Sequence, residues 1–175
     1  LMITQTEINK AIAPFRAMNP LEQFIQSEES SRLEFKSTLR TNLYTGTRDA
    51  KLELAIAKTL CAFMNSEGGT LLIGLDDQGE VVGLEPDIKT LTKKNIDGFQ
   101  LAFYDIVDDF MERSSRDFVD VSFHEYQGKT VAMVEVLQSP EPVYCGDEAV
   151  FYVRMGNSSR KLNTREALQY IRGHW

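Results

Sequence analysis

The chain has 175 residues, of which 42% are hydrophobic and 26% charged, with a net charge of −7 and a pI near 4.9. That length suits one domain with a proper core, and the acidic balance excludes a protein that binds polyanions over its whole surface while leaving room for local basic patches. Two cysteines without a C-x-x-C spacing and only two histidines argue against a zinc site or a disulfide framework. No apolar run approaches the ~18 residues of a membrane span and no signal peptide is visible, so a cytoplasmic location is expected. The sequence opens on Leu1, as a piece of a longer protein would.

Residues 3–18 carry a helical pattern. Thr4 with Glu7 forms a capping box, and Ile8, Ala11, Ile12 and Phe15 share one face. Pro14 predicts a kink and Asn19-Pro20 an end. With the short amphipathic piece Leu21 to Ile25, residues 1–26 read as an N-terminal helical extension that docks on the domain or on a partner chain; a linker is the alternative. Residues 27–175 form the domain. Arg32 to Thr38 alternates, with Leu33 and Phe35 on one face and Arg32, Glu34 and Lys36 on the other, which predicts a half-buried strand with a Glu-x-Lys pair facing outward. A loop over 41–47 leads to a helix from about Arg48 to Met64, with Leu52, Ile56, Leu60 and Phe63 as its buried stripe.

The chain is organised around Phe63 to Leu84, FMNSEGGTLLIGLDDQGEVVGL. Asn65 closes the helix, and Gly68 and Gly69 supply the positive φ that a sharp helix-to-strand reversal needs. Thr70 to Leu75 is a strand covered on both faces, broken at Gly74 where another backbone or a ligand comes close. Asp76-Asp77-Gln78-Gly79 is a polar turn, and Val81 and Val82 begin a return strand. A second long helix is expected over 89–113, with Phe99, Phe103, Ile106 and Phe110 along one face. Val119, Val121 and Phe123 alternate as a strand that Gln127-Gly128 turns into 130–137, apolar on both faces and therefore central. A last strand over 150–155, a loop over 156–161 and a terminal helix capped by Asn163 with Glu166 complete the chain. Hairpins alternating with isolated helices predict an α+β fold, a mostly antiparallel mixed sheet with flanking helices.

Two constellations could carry chemistry. Glu29, Glu34 and Asp77, with Lys36, are acids whose convergence would call for a divalent cation or a cationic side chain. A metal there would activate water and stabilise a phosphoryl transition state, with Lys36 orienting water or holding a phosphate. Arg154, Asn157, Ser158, Ser159, Arg160 and Lys161 combine cations, hydroxyls and turn amides, the set that phosphate contacts use. There is no G-x-x-x-x-G-K-[ST], so no phosphate-binding motif supports ATP as a ligand.

The segments LEFK at 33–36, AFMNSEGGTLLIGLDDQGEVVGL at 62–84 and FYVRMGNSSRKL at 151–162 together resemble the Schlafen AlbA_2 domain, over roughly residues 27–175. The resemblance implies a domain of bacterial and archaeal regulators, labelled DNA-binding or ATP-binding. It further implies that Glu29, Glu34 and Asp77 match the three metal-binding carboxylates of Schlafen endoribonucleases, ahead of or beside the family lysine at Lys36. Those enzymes use two lobes, so this single lobe implies a homodimer. The leading expectation is a module of a transcriptional regulator-type protein that binds DNA or RNA. The alternatives are an Mg²⁺- or Mn²⁺-dependent endoribonuclease, and a structural, dimerisation or nucleotide-sensing domain.

Overall fold

The computed structural model describes residues 19–175, and the helix expected over 3–18 lies outside them. Its strands are β1 (Leu33–Lys36), β2 (Thr41–Asn42), β3 (Thr47–Arg48), β4 (Gly69–Ile73), β5 (Val119–Tyr126), β6 (Lys129–Val136), β7 (Tyr152–Met155) and β8 (Ser158–Lys161). Its helices are α1 (Glu22–Ile25), α2 (Ala50–Met64), α3 (Glu85–Thr90), α4 (Ile96–Phe110) and α5 (Thr164–His174). A four-stranded sheet runs in the order β1-β4-β6-β5, and two small hairpins, β2–β3 and β7–β8, stand beside it. β6, apolar on both faces, is central as its sequence requires. β1 lies parallel to β4 while the other pairs are antiparallel, so the sheet is mixed. A parallel pair cannot close through a tight turn, and α2 supplies the crossover.

The sheet has two covered faces. Ile56, Leu60 and Phe63 of α2 and Phe99, Phe103 and Ile106 of α4 pack against Leu71, Ile73, Ala132 and Val134. On the other face Leu21, with Phe24 and Ile25 beside it, packs onto Leu33, Phe35, Leu72 and Val131. Residues 21–25 therefore dock on the domain itself.

The turn after α2 rests on different properties of its two glycines. Gly68 has φ +72°, the left-handed conformation expected. Gly69 does not; it is there for room, because a Cβ would fall 2.5 Å from the Phe63 ring and 2.9 Å from the Arg32 carbonyl. Gly74 is the expected close approach, with φ +102° and the Gly83 backbone 3.2 Å from where a Cβ would sit. Asn65 does more than end a helix. Wholly buried, it donates to the carbonyls of Val143 (2.7 Å) and Tyr152 (2.9 Å) and accepts from the Val143 amide (2.8 Å), joining α2 to the C-terminal hairpin.

Four expectations change. Val81 makes a single bridge to Leu75 and no return strand follows. The helix expected over 89–113 is two helices, because Leu91 turns extended at ψ 152° and the Asn95 side chain caps a new start on the Gly98 amide at 2.9 Å. The loop over 156–161 is largely β8, paired from Met155↔Ser158 to Tyr152↔Lys161 around a Gly156-Asn157 turn. The loop over 41–47 likewise contains the hairpin β2–β3. Both hairpins have polar, exposed outer strands with no apolar alternation, so their periodicity gives nothing to read.

Candidate nucleic-acid interface and the acid set

Glu34 is the meeting point of the candidate residues. Its register partner is Leu71, which faces the helices, so the Glu34 side of β1 is not the outward face expected but a covered margin of the sheet. Glu34 is buried there, and Arg154 reaches it from β7. The Arg154 Nη1 donates to Glu34 Oε2 at 2.9 Å and to Ser159 Oγ at 3.1 Å, and its Nη2 donates to the Ser30 carbonyl at 2.6 Å. The guanidinium lies 4.8 Å from the centre of the Phe63 ring, a cation–π contact, and its side chain is only 1% exposed. Lys36 Nζ bonds the other carboxylate oxygen of Glu34 and the Phe35 carbonyl. Both oxygens of Glu34 are thus held by cations.

The other two acids serve different ends. Glu29 Oε1 accepts from the Phe35 amide at 2.8 Å, satisfying a donor on the open edge of β1. Asp76 spends its carboxylate inside the turn on the amides of Gln78 and Glu80, both at 2.9 Å. Asp77 instead faces an open cavity of about 500 Å³, whose walls include Glu29, Phe35 and Asn157 but not Glu34.

The acid set expected to take Mg²⁺ or Mn²⁺ is therefore not assembled. Among the described residues, no group of three or more His, Cys, Asp or Glu is placed to hold a metal ion. The donor chemistry gives the reason: Glu34 is already neutralised by Arg154 and Lys36, and Glu29 is engaged by a backbone amide. The residues present do not fit the metal.

The basic set divides in the same way. Arg154, expected as a phosphate contact, is a buried brace, and Ser159 is the acceptor that helps hold it. Lys36 is occupied by Glu34. Asn157, Ser158, Arg160 and Lys161 remain exposed on the turn and outer strand of the ribbon. Arg160 makes a 3.3 Å contact with Glu166 and a 3.5 Å one with the Met155 sulfur, both at the surface.

Two buried carboxylates carry no signal in the sequence. Asp87, with no exposure, accepts from the backbone amides of Leu39 (2.7 Å), Arg40 (3.0 Å) and Thr41 (2.9 Å). Burial pushes its pKa up, against the pull of those amides. Glu53 takes a two-pronged pair from Arg48, at 2.7 and 2.8 Å. An acid at the start of a helix usually marks only a favourable dipole contact, so neither position announces its role. The two cysteines are inert by environment: burial pushes the Cys61 thiol up to about 12 and the Cys145 thiol to about 11.

A mixed four-stranded sheet with an L-E-F-K edge strand, a Gly-Gly turn into its centre and a basic C-terminal ribbon defines a small α+β domain class. The chain belongs to the Schlafen, AlbA_2 family, whose sequence profile matches residues 29–163. Among solved structures it is similar to the DIP2311 protein from Corynebacterium diphtheriae, at TM-score 0.58 and 18% identity over 97% of this chain. The chain spans 29% of the length of that protein. It is also similar to the N-terminal domain of a RecG-related protein from Nitrosomonas europaea, named for the ATP-dependent DNA helicases. That match has a TM-score of 0.50 and 22% identity, over 82% of this chain and 90% of the other. Both likenesses establish the α+β fold. No protein of curated function matches the chain. Among the described residues, no helix is long and apolar enough to cross a membrane.

Proposed function

We propose that this domain is a nucleic-acid-binding module of a regulator-type protein, contacting phosphates through the β7–β8 ribbon. One observation carries the reading. The inner strand of the ribbon is pinned by the buried Arg154–Glu34 pair, while Arg160, Lys161, Ser158 and Asn157 stand outward on its turn and outer strand. A stiff two-stranded ribbon with outward cations is a shape that the major groove of duplex DNA admits. The helicase-derived name of the Nitrosomonas europaea neighbour supports DNA over RNA as the first target to try. Pairing of two copies would set two such ribbons on one duplex. ATP finds no phosphate-binding motif, and the endoribonuclease reading has no assembled carboxylate group behind it, so neither enters the proposal.

The test is fluorescence anisotropy with duplex DNA and with structured RNA across a salt series, alongside sedimentation of the free chain at tens of micromolar. Arg160→Ala with Lys161→Ala should leave folding intact and flatten the salt slope by roughly two units, about 0.9 for each duplex phosphate that is no longer neutralised. Wild-type affinity and slope in that variant would remove the ribbon from the interface.

A further inference from the structure

The four-stranded sheet has two edges, β1 and β5, and the chain treats them differently. On β1 the outward backbone groups are taken. Leu33 exchanges hydrogen bonds with Ser30 at 2.9 and 3.5 Å, the Phe35 amide goes to Glu29 Oε1 at 2.8 Å, and the Phe35 carbonyl accepts from Lys36 Nζ at 3.0 Å. On β5 only the two ends are closed. The Val119 amide donates to the Arg116 carbonyl, and the Asn19 side chain donates to the Glu125 carbonyl at 2.7 Å. The Leu137 amide, on the β6 side, donates to the Phe118 carbonyl at 2.8 Å. These contacts fix the alternation: even-numbered residues of β5 turn their backbone groups to β6, and odd-numbered ones turn them outward. The carbonyls of Val119, Val121 and Phe123 and the amides of Val121, Phe123 and Glu125 therefore point outward, without a hydrogen-bond partner among the described residues. Unpaired groups along an edge are a template for another strand.

The pattern of open groups identifies the occupant, because it is complementary to itself. Two copies of β5 laid antiparallel about a two-fold axis at Ser122 would set Val121 opposite Phe123 and Val119 opposite Glu125. Residues opposed in this way exchange amide-to-carbonyl bonds. Val121 and Phe123 would use all their open groups on each other, and the Glu125 amide would meet the Val119 carbonyl. The two groups left out, the Val119 amide and the Glu125 carbonyl, are the two already closed. Moving the axis to Val121 or Phe123 would strand open groups and oppose closed ones.

The side chains agree with this register. Asp120-Val121-Ser122-Phe123-His124 read against itself sets acid against histidine, Val against Phe, and Ser against Ser. Asp120 stands exposed opposite Glu135 of β6, a pairing of like charges that weakens a sheet. His124 of a second copy would come to Asp120 from the other side, as a donor or as a cation. The remaining charges of this stretch lie off the ladder or are engaged. Glu125 holds the Thr130 hydroxyl at 2.6 Å, Arg116 is paired with Asp108 at 2.6 Å, and Asp117 precedes the strand. A net charge of −7 on each copy opposes association, so the contact has to be local and complementary.

We propose that the β5 edge is a self-association surface, pairing with β5 of a second copy in the register centred on Ser122 and joining two sheets into one. The proposal does not rest on nucleic-acid binding. It gives the pairing of copies considered above a surface and a geometry. One short strand a side makes a small interface, of the kind that forms weak, reversible complexes.

The experiment is sedimentation equilibrium of the full chain from about 10 to about 300 µM, the range in which so small an interface would assemble. Wild type should show a monomer–dimer equilibrium. Val121→Pro removes an outward amide, a change an edge strand tolerates, and should weaken the dimer more than about tenfold. His124→Glu sets an acid against Asp120 of the other copy and should weaken it roughly tenfold; adding Asp120→Lys restores an opposite-charge pair and should return wild-type association. That rescue is the reading a merely structural His124 would not give. Hydrogen exchange supplies the second measurement: the Val121, Phe123 and Glu125 amides should gain protection as concentration rises. A monomer at every concentration overturns the proposal, as does a dimer that Val121→Pro leaves unchanged or a double variant as weak as His124→Glu. Protection that does not vary with concentration would place residues 1–18 of the same chain on the edge, and overturns it too. None of these measurements involves nucleic acid, so the ribbon reading stands or falls separately.

Discussion

The β2–β3 and β7–β8 hairpins both hang on a buried carboxylate, yet they are held in opposite ways. Glu34 fixes β7–β8 through cationic side chains, Arg154 and Lys36. Asp87 fixes the entry to β2–β3 through three backbone amides, with no cation among its hydrogen-bond partners. A side-chain ion pair is a local choice: both members can be exchanged for apolar groups of similar size, and such swaps are often neutral or stabilising. Backbone amides cannot be mutated away. The Asp87 clamp should therefore be the less replaceable of the two, although it contains a single charge.

The largest expected effect follows. Asp87→Ala leaves three amides unpaired, and each orphaned buried group costs about 1–3 kcal/mol. The total, about 3–9 kcal/mol, approaches the whole stability of a typical domain at 5–15 kcal/mol. Urea denaturation should find this variant largely unfolded or close to it. A loss below about 1 kcal/mol would mean water replaces the carboxylate freely, and the contrast between the hairpins would collapse.

Glu34→Ala comes next, at about 3–5 kcal/mol, because Arg154 is then buried without its counter-charge. The informative variant is the double replacement Glu34→Leu with Arg154→Met. It should recover most of that loss, since Lys36 is partly exposed and can turn to solvent. A double variant no more stable than Glu34→Ala alone would show that the Ser30 and Ser159 contacts of Arg154, rather than the ion pair, hold the ribbon.

The same contrast explains what could be read from the sequence. The Phe63–Leu84 stretch was legible as far as its turn at Gly79 because its information is local: apolar periodicity, then glycines, then a polar turn; the return strand expected after it is a single bridge at Val81. The family motifs in β1, around β4 and in β7–β8 were legible as words, and the fold class was legible in hairpins alternating with isolated helices. What each word does was not, because the partners lie far apart in the chain. Arg154 meets Glu34 across 120 residues, and the Leu39 amide meets Asp87 across 48. The pattern R-M-G-N-S-S-R-K shows three cations that look alike. Only strand alternation combined with the position of Phe63 makes Arg154 a buried brace and leaves Arg160 and Lys161 outside. The Asn42, Gly46 and threonine turn signals of β2–β3 were present, yet two-residue strands are too short for periodicity to mark.

The smallest effect is the most direct measure of how the Asp87 clamp differs from an ion pair. Burial opposes the charged form of Asp87 and the three amides favour it, and the balance leaves its pKa raised. The folded protein therefore binds this proton more tightly than the unfolded chain, whose aspartates titrate near about 3.9. By linkage, the stability contributed by the group is fully present below that unfolded value, declines as pH rises through the raised folded value, and is level above it. Asp87→Asn removes the titration while keeping an oxygen for the Arg40 and Thr41 amides. The unfolding free energy of wild type minus that of Asp87→Asn should then fall as pH rises from about 4, by about 1.4 kcal/mol for each pH unit that separates the folded and unfolded pKa values. Urea midpoints for both proteins at half-unit steps to pH 7 would measure it. A difference that instead grows with pH would show that the amides outweigh burial, making three backbone dipoles as good a counter-charge for Asp87 as Arg154 is for Glu34.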